Sequence, residues 1–322
     1  MQPQKDPVPK PAKIEAAVSL LADPDRRIVE ACRSRLIAWG TLARPALERA
    51  ARGAPARVRV RARAVIRTLD VRDWVGGVQG LVQGDLAQQP EGPCDHHVLE
   101  RAAATIAALL RPDAPDAGGC ARVLQRLAED VMEQMRERSS GGGKARVLAL
   151  TLAADHGFTG ESGAAFDPDH VFLDTVLERR RGMASCMALL YVLVGRRAGL
   201  DVRGVELPDR YLVRVHGARA VLLDPFRDGV VVTKADCMRH LRHLGLAAHA
   251  RELLDDVEDW RLLDAMLHDL QRVYGYREDA EICLALQEGR KAFREVFVGE
   301  SATRAPRVRG GGRSPTSREG RR

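Results

Sequence analysis

The stretch Arg181–Tyr191, RGMASCMALLY, places a cysteine shortly after a glycine turn and at the head of a run of helix formers. A thiol at a helix N-terminus gains thiolate character from the unpaired amide N–H groups and the positive end of the helix dipole. Acyl transfer by such a thiolate needs two more groups: a histidine to take and return a proton, and a carboxylate to orient the imidazole. Cys186 is the candidate nucleophile, and the order Cys, His, Asp is the pattern to seek downstream. The competing reading of Cys186 is a small apolar residue packed at the start of a helix.

Other clusters carry less. Cys94, Asp95, His96 and His97 adjoin in QGDLAQQPEGPCDHH, but consecutive residues rarely aim at one ion, so the stretch reads as a loop with Asp95 capping a helix. His240 and His243 share a helix face without an obvious third metal ligand nearby. SSGGGK at Ser139–Lys144 lacks the GxxxxGK[ST] spacing and has no strand before it, so it reads as a connector. The cysteines, Cys32, Cys94, Cys120, Cys186, Cys237 and Cys283, show no CxxC repeat. Neither a zinc ribbon nor a disulfide framework is suggested, and reduced thiols in the cytoplasm are the simplest expectation. No cofactor and no metal is expected.

The elements that must position Cys186 follow from periodicity. Apolar residues at helical spacing mark helices from Ile14 to Leu21, over DPDRRIVEACRSRLIAWG and in TLARPALERAARG. APARVRVRARAVIRTLD alternates like a strand, yet Val58, Ala62, Val65, Ile66 and Leu69 form one helical stripe, and helix is the expectation. Further helices are expected over His97–Leu110, Ala121–Arg136, Lys144–His156, around Phe172–Leu177, and over Ser185–Ala198. β-type runs follow at Val202–Leu207, Tyr211–Val215 and Val221–Leu223. A buried helix leading into an antiparallel sheet is an α+β arrangement, here mostly helical.

The block FDPDHVFLDTVLERRRGMASCMALLYVLVGRRAGLDVRGVELPDRYLVRV, followed by LLDPF, resembles the bacterial SirB-type transglutaminase-like family. That family's pattern runs Pro-x-Asn-Ser-x-Leu, Val-Leu-Glu-Arg-Arg-x-Gly, a Ser/Cys-led helix, Pro-Gly-His-Phe-Leu-Val-Arg, then Asp-Pro-Phe. The resemblance covers roughly Trp74–Met238, with its motifs concentrated between Asp167 and Gly229. It implies a transglutaminase/papain-like core, a helix plus a small antiparallel sheet, with Cys186 at the nucleophile position and Asp224 at the acidic one. The family's Pro-Gly-His-Phe stands here as Pro208, Asp209, Arg210 and Tyr211, so Arg210 occupies the base position. An arginine holds its proton throughout the accessible pH range and cannot serve as a general base. His216 lies about 20 Å further along the strand at ~3.3 Å per residue. A loop from His216 to Ala218 would set Arg210 opposite Asp224, and an ion pair between them is expected in place of a His–Asp couple. His156, His170, His240, His243, His249 and His268 remain as bases that folding could deliver.

Two readings follow: a catalytically degenerate binding or scaffold protein, or an active cysteine acyl-transferase or peptidase using Cys186. The surroundings favour the first. Residues 14–73 resemble a HEAT-like repeat segment, 74–238 the transglutaminase-like domain, and 255–296 a TPR-like helical pair, the helical repeats being scaffolding or peptide-binding devices. Residues 1–13 and 299–322 read as disordered tails, the latter basic. The formal charge of +7 resides there, since Met1–Lys13 holds three Lys and one Asp and Gly299–Arg322 seven Arg and two Glu. The body is therefore near neutral and, with aromatics at 4%, offers little to nucleic acid. Between Arg44 and Arg67 eight Arg and one Glu make a basic ridge that reads as a solvated helix face. No apolar run approaches the ~18 residues of a spanning helix, so a protein or peptide partner is expected and a membrane is not.

Overall fold

Four helices lead the chain: α1 (Pro11–Ser19), α2 (Arg26–Trp39), α3 (Arg44–Gly53) and α4 (Ala56–Leu81). They are seen in a computed structural model that describes residues 8–86, 95–108, 111, 117–137, 143–163 and 167–303. Pro11 and Pro45 stand in the first helical turn, where a missing N–H costs nothing. Asp25 caps α2 by accepting from the Arg27 amide at 2.8 Å. The stretch expected to be a leading tail is helical from Pro11 onward, and the helix at the other end runs to Thr303. Residues 1–7 and 304–322, with the Ser139–Lys144 connector up to residue 142, lie outside the described residues.

The Arg-apolar alternation of VRVRARAV is helix, as its stripe requires. Val58, Ala62, Val65 and Leu69 of α4 are buried with Leu21, Leu36 and Leu47 in a separate small core. Past Asp70 the same helix enters the main core through Trp74, Val78 and Leu81. One continuous helix therefore joins the leading segment to everything that follows.

Next come α5 (His96–Ala108), α6 (Ala117–Glu137) and α7 (Gly143–Ala149), the last continuing as a π-helical turn to Asp155. A two-residue strand β1 (Thr159–Gly160) pairs in parallel with β2 (Arg181–Gly182) across α8 (Leu173–Arg179). Then comes α9 (Ala184–Arg197), which is buried on every side from Ser185 to Gly195. A helix without a polar face must be surrounded. The antiparallel meander β3 (Val202–Leu207), β4 (Arg210–Val215), β5 (Val221–Asp224) and β6 (Val230–Val232) packs against it through β3 and β4. Helices α5, α6 and α12 (Asp259–Tyr276) pack around the rest.

Strand alternation feeds two cores. Val202, Val213, Val215 and Leu223 belong to the α9 core. Val205, Leu207 and Leu212 meet Cys237 and Leu241 of α10 (Lys234–His243) and Ala250 at the start of α11 (Ala250–Leu253). Helix α13 (Ala280–Thr303) runs antiparallel to α12, since Cys283 bonds to the Gln271 carbonyl at 3.7 Å while Arg290 bonds to Asp264 at 2.7 Å. The short strand β6 was not expected; its three valines, at a sheet edge and followed by the Thr233–Asp236 capping box, leave little alternation to see.

The β4–β5 register corrects one expectation. Val215 pairs with Val221 and Val213 with Leu223, so the connection spans His216–Ala220 rather than His216–Ala218. Asp224 thus lies opposite Leu212, not Arg210.

Two buried ion pairs tie down the C-terminal end of α9, where cations also suit the helix dipole. Arg196 holds Asp259 at 2.6 and 2.7 Å and donates to the Val202 carbonyl at 2.9 Å. Arg197 bonds to Glu100 of α5. With the Arg196 and Asp259 side chains only 8% and 7% exposed, removing one partner strands a buried charge. Arg196→Ala is expected to lower stability by about 3–5 kcal/mol in urea unfolding; a loss under ~1 kcal/mol would show that water reaches Asp259 readily.

Candidate functional site

The N-terminal end of α9 opens on a cleft of about 530 Å3, a size that suits a small ligand or a few side chains. Met183 and Ala184 contribute its edge from α9, Arg210 and Tyr211 come from β4, and Asp224 from the end of β5. The wall opposite is built by α12 and α13. Gly160 closes one corner: a Cβ there would lie 2.3 Å from the Phe226 carbonyl oxygen, so only glycine lets β1 approach the Pro225–Arg227 turn.

Cys186 is elsewhere. It is fully buried in the main core and is not among the residues lining the cleft. Two residues along a helix turn the side chain by roughly 200°, so with Ala184 at the cleft, Cys186 points into packing. Burial pushes its thiol far above the ordinary range, and the negative charges of Asp174 and Asp269 push the same way. The activation expected from a helix N-terminus is thus overwhelmed by desolvation.

Arg210 and Asp224 both line the cleft, yet the expected ion pair is not formed. The Asp224 carboxylate has Arg227 at 3.9 Å, while the Arg210 Nε lies 3.6 Å from Asp209 Oδ1 and its terminal nitrogen 3.5 Å from His240 Nδ1. The register sets Arg210 two residues along β4 from Leu212, the residue opposite Asp224. Arg210 acts on it through space only, and burial still holds the Asp224 carboxyl above its usual range against Arg227 and Arg210. Arg210 Nε and Asp224 Oδ1 are both buried without a hydrogen-bond partner.

Of the histidines that folding could deliver, His240 arrives beside Arg210, where its Nε2 meets Asp209 at 2.7 Å. Burial works to raise the Asp209 carboxyl, but the His240 hydrogen bond and the Arg210 charge outweigh it and hold it low. His268 lines the cleft from α12; burial and the charge of Arg290 pull its pKa down. His216 is held by Asp256 at 2.7 Å and His156 by Asp130 at 2.8 Å, both within structural pairs. Asp95, His96 and His97 offer ligand atoms within 4.8 Å of one another, and Asp95 also caps α5 by accepting from the His97 amide at 2.9 Å. Burial and the charges of His97 and Arg197 pull the His96 pKa down.

Sequence reasoning missed the buried acids of α12. Asp259, Asp264 and Asp269 recur every five residues, and two elements meet them: α9 through Arg196 and Ser185, and α13 through Arg290. Ser185 donates to Asp269 at 2.6 Å beneath the cleft. Acids interrupting the apolar stripe of a helix were the available signal, since such carboxylates must be paired when buried.

Comparison with known proteins agrees with this layout in part. Residues 120–268 match the family model of the transglutaminase-like superfamily, so the chain carries a transglutaminase-like domain. A UPF0162 protein of Xylella fastidiosa is 27% identical over 47% of this chain and 56% of its own length. One from Vibrio cholerae is 32% identical over 23% of this chain and 28% of its own, and one from Pseudomonas aeruginosa 32% over 32% and 38%. The matched stretches span about a quarter to just over half of these relatives. No solved structure matches.

Burial also holds the Asp269 carboxyl above its ordinary value, against the pull of the Ser185 hydrogen bond. The folded protein then keeps this proton to a higher pH than the unfolded chain. Its contribution to stability is full below about pH 4 and declines as pH rises through the folded-state pKa. Asp269→Asn, which still accepts from Ser185, is expected to gain stability relative to the parent as pH rises from about 4 to 7. Thermal unfolding across that range checks this, and a constant difference would place Asp269 in a solvated site.

Proposed function

We propose that this is a SirB-type transglutaminase-like protein whose triad-equivalent site has become a binding cleft. On this reading the chain is a cytoplasmic binding or scaffold protein with HEAT-like helices before the core and a TPR-like pair after it. The observation that carries the reading is the separation of Cys186 from Arg210 and Asp224: the latter two line the cleft, and the thiol does not. A nucleophile must reach its substrate and sit within hydrogen-bond reach of its base. Cys186 is sealed from solvent and, among the described residues, hydrogen-bonds to no base, and the residue at the base position is a permanently protonated arginine beside Asp209 and His240.

The helical flanks support a partner-binding role through their continuity with the core. Arg67 of α4 bonds to Asp279 at the foot of α13, and Thr68 donates to Glu281 at 2.8 Å. Trp74 packs against Gly289, where a Cβ would come within 3.0 Å of the ring. Leading and trailing helices therefore pack together, and α13 carries that layer to the cleft. Among the described residues no helix is long and apolar enough to cross a membrane.

The test is native-state alkylation. Cys186 of the folded protein is expected to react with iodoacetamide at least about a thousandfold more slowly than a free thiol between pH 6 and 9, a lag set by the rarity of opening, and Arg210→His is not expected to speed it. Mass spectrometry of the peptide containing Cys186 reads the rate. Rapid labelling at pH 6, or Cys186-dependent release of ammonia from a glutamine peptide, would restore the acyl-transferase or peptidase alternative.

A further inference from the structure

The rim of the cleft carries guanidinium donors that only long ion pairs hold. Arg227 of the Pro225–Arg227 turn, Arg261 and Arg272 of α12, and Arg294 of α13 all line it. Their side chains are 66%, 48%, 52% and 58% exposed. Their nearest carboxylate oxygens lie at 3.9, 3.5, 4.0 and 3.8 Å, beyond hydrogen-bond reach. Among the described residues none of the four side chains makes a hydrogen bond. Arg290 in the same wall behaves differently, donating to Asp264 at 2.7 and 3.2 Å and to Gln271 at 3.1 Å. Four guanidinium forks, drawn from three elements, therefore face one opening, each held by no more than a long, half-exposed ion pair. Arg261 lies over the Trp260 ring at 5.2 Å, which steadies its plane while leaving its N–H edge available.

We propose that the cleft binds an acidic peptide segment whose side-chain carboxylates bridge these four arginines, an assignment that rests on the cleft being a binding site. Planar guanidinium forks match carboxylates in pairs, and each such pair is stronger than a neutral hydrogen bond. The floor argues against a cationic ligand: Asp264 is taken by Arg290 and Asp269 by Ser185, and burial raises the Asp224 carboxyl, whose Oδ1 lacks a partner among the described residues, so that it resists carrying charge. The same lining argues against a nucleic-acid strand, because Glu161, Glu206 and Asp209 stand among the arginines. An unbroken phosphate backbone would meet those charges, whereas separate Glu or Asp side chains can be seated between them. The pattern of charge thus selects discrete carboxylates.

The experiment measures fluorescence anisotropy of labelled hexaglutamate with the full chain, in parallel with labelled hexalysine and a single-stranded oligonucleotide. Hexaglutamate is expected to bind, to weaken as salt rises from about 50 to 200 mM, and to weaken about tenfold or more in R272Q/R294Q. These side chains are more than half exposed, so the fold should tolerate the change, and circular dichroism confirms it. R227Q at the exposed turn provides an independent weakening should the double variant unfold. Arg239→Gln, 73% exposed on α10 and outside the lining, is expected to leave binding unchanged. Hexaglutamate binding that is indifferent to all cleft variants, equal or tighter binding of hexalysine, or tighter binding of the oligonucleotide to the same arginines overturns the proposal. Cys186-dependent ammonia release would instead overturn the non-catalytic reading while leaving the peptide binding in place.

Discussion

Helix α9 has no face that can meet water, and the rest of the domain is arranged to cover it. Each of its fully buried Leu, Val and Met side chains is worth roughly 1.5–3 kcal/mol when removed from solvent. Covering them takes β3 and β4 on one side and α5, α6 and α12 on the others. The polar groups at its two ends are then forced into partnerships. Arg196 and Arg197 meet Asp259 and Glu100 at one end, and Ser185 meets Asp269 at the other. Gly195 is small because Val202 of β3 approaches where a Cβ would lie, at 2.5 Å.

The same constraint takes the thiol out of the cleft. A cysteine at the head of a helix is reactive when amides and a base face it across solvent; sealed in an apolar core, its neutral form is favoured and no substrate can reach it. The charges that surround the neighbouring cleft sort into two layers. Carboxylates near the floor, Asp224, Asp264 and Asp269, have side chains 3%, 10% and 10% exposed, while the rim arginines are about half exposed or more. Desolvation raises Asp224 and Asp269, so the floor is reluctant to carry full charge, whereas the guanidiniums keep theirs.

Much of the scaffold was legible. The VRVRARAV helix, the order of the three main strands and the long helix of residues 184–197 follow from periodicity, the resemblance implied a helical pair over 255–296, and the motifs between Asp167 and Gly229 pointed to the transglutaminase-like domain that the family comparison bears out. The β4–β5 register was not legible, because a three-residue and a five-residue connection serve the sequence HGARA equally well until the faces of the sheet are assigned to a core. Nor was the role of α12, whose acids look like a solvated face until α9 and α13 are seen against them.

By itself, the sequence offered candidates for the nucleophile, base and acid positions, Cys186, Arg210 and Asp224, through the motif order that carries the family resemblance. That arginine cannot accept a proton was likewise settled by its chemistry. Only the tertiary structure decided where those groups point. The phase of α9 about its own axis turned Cys186 inward, and a two-residue difference in register separated Arg210 from Asp224. Both depend on which neighbours pack against an element, and local periodicity carries no record of that.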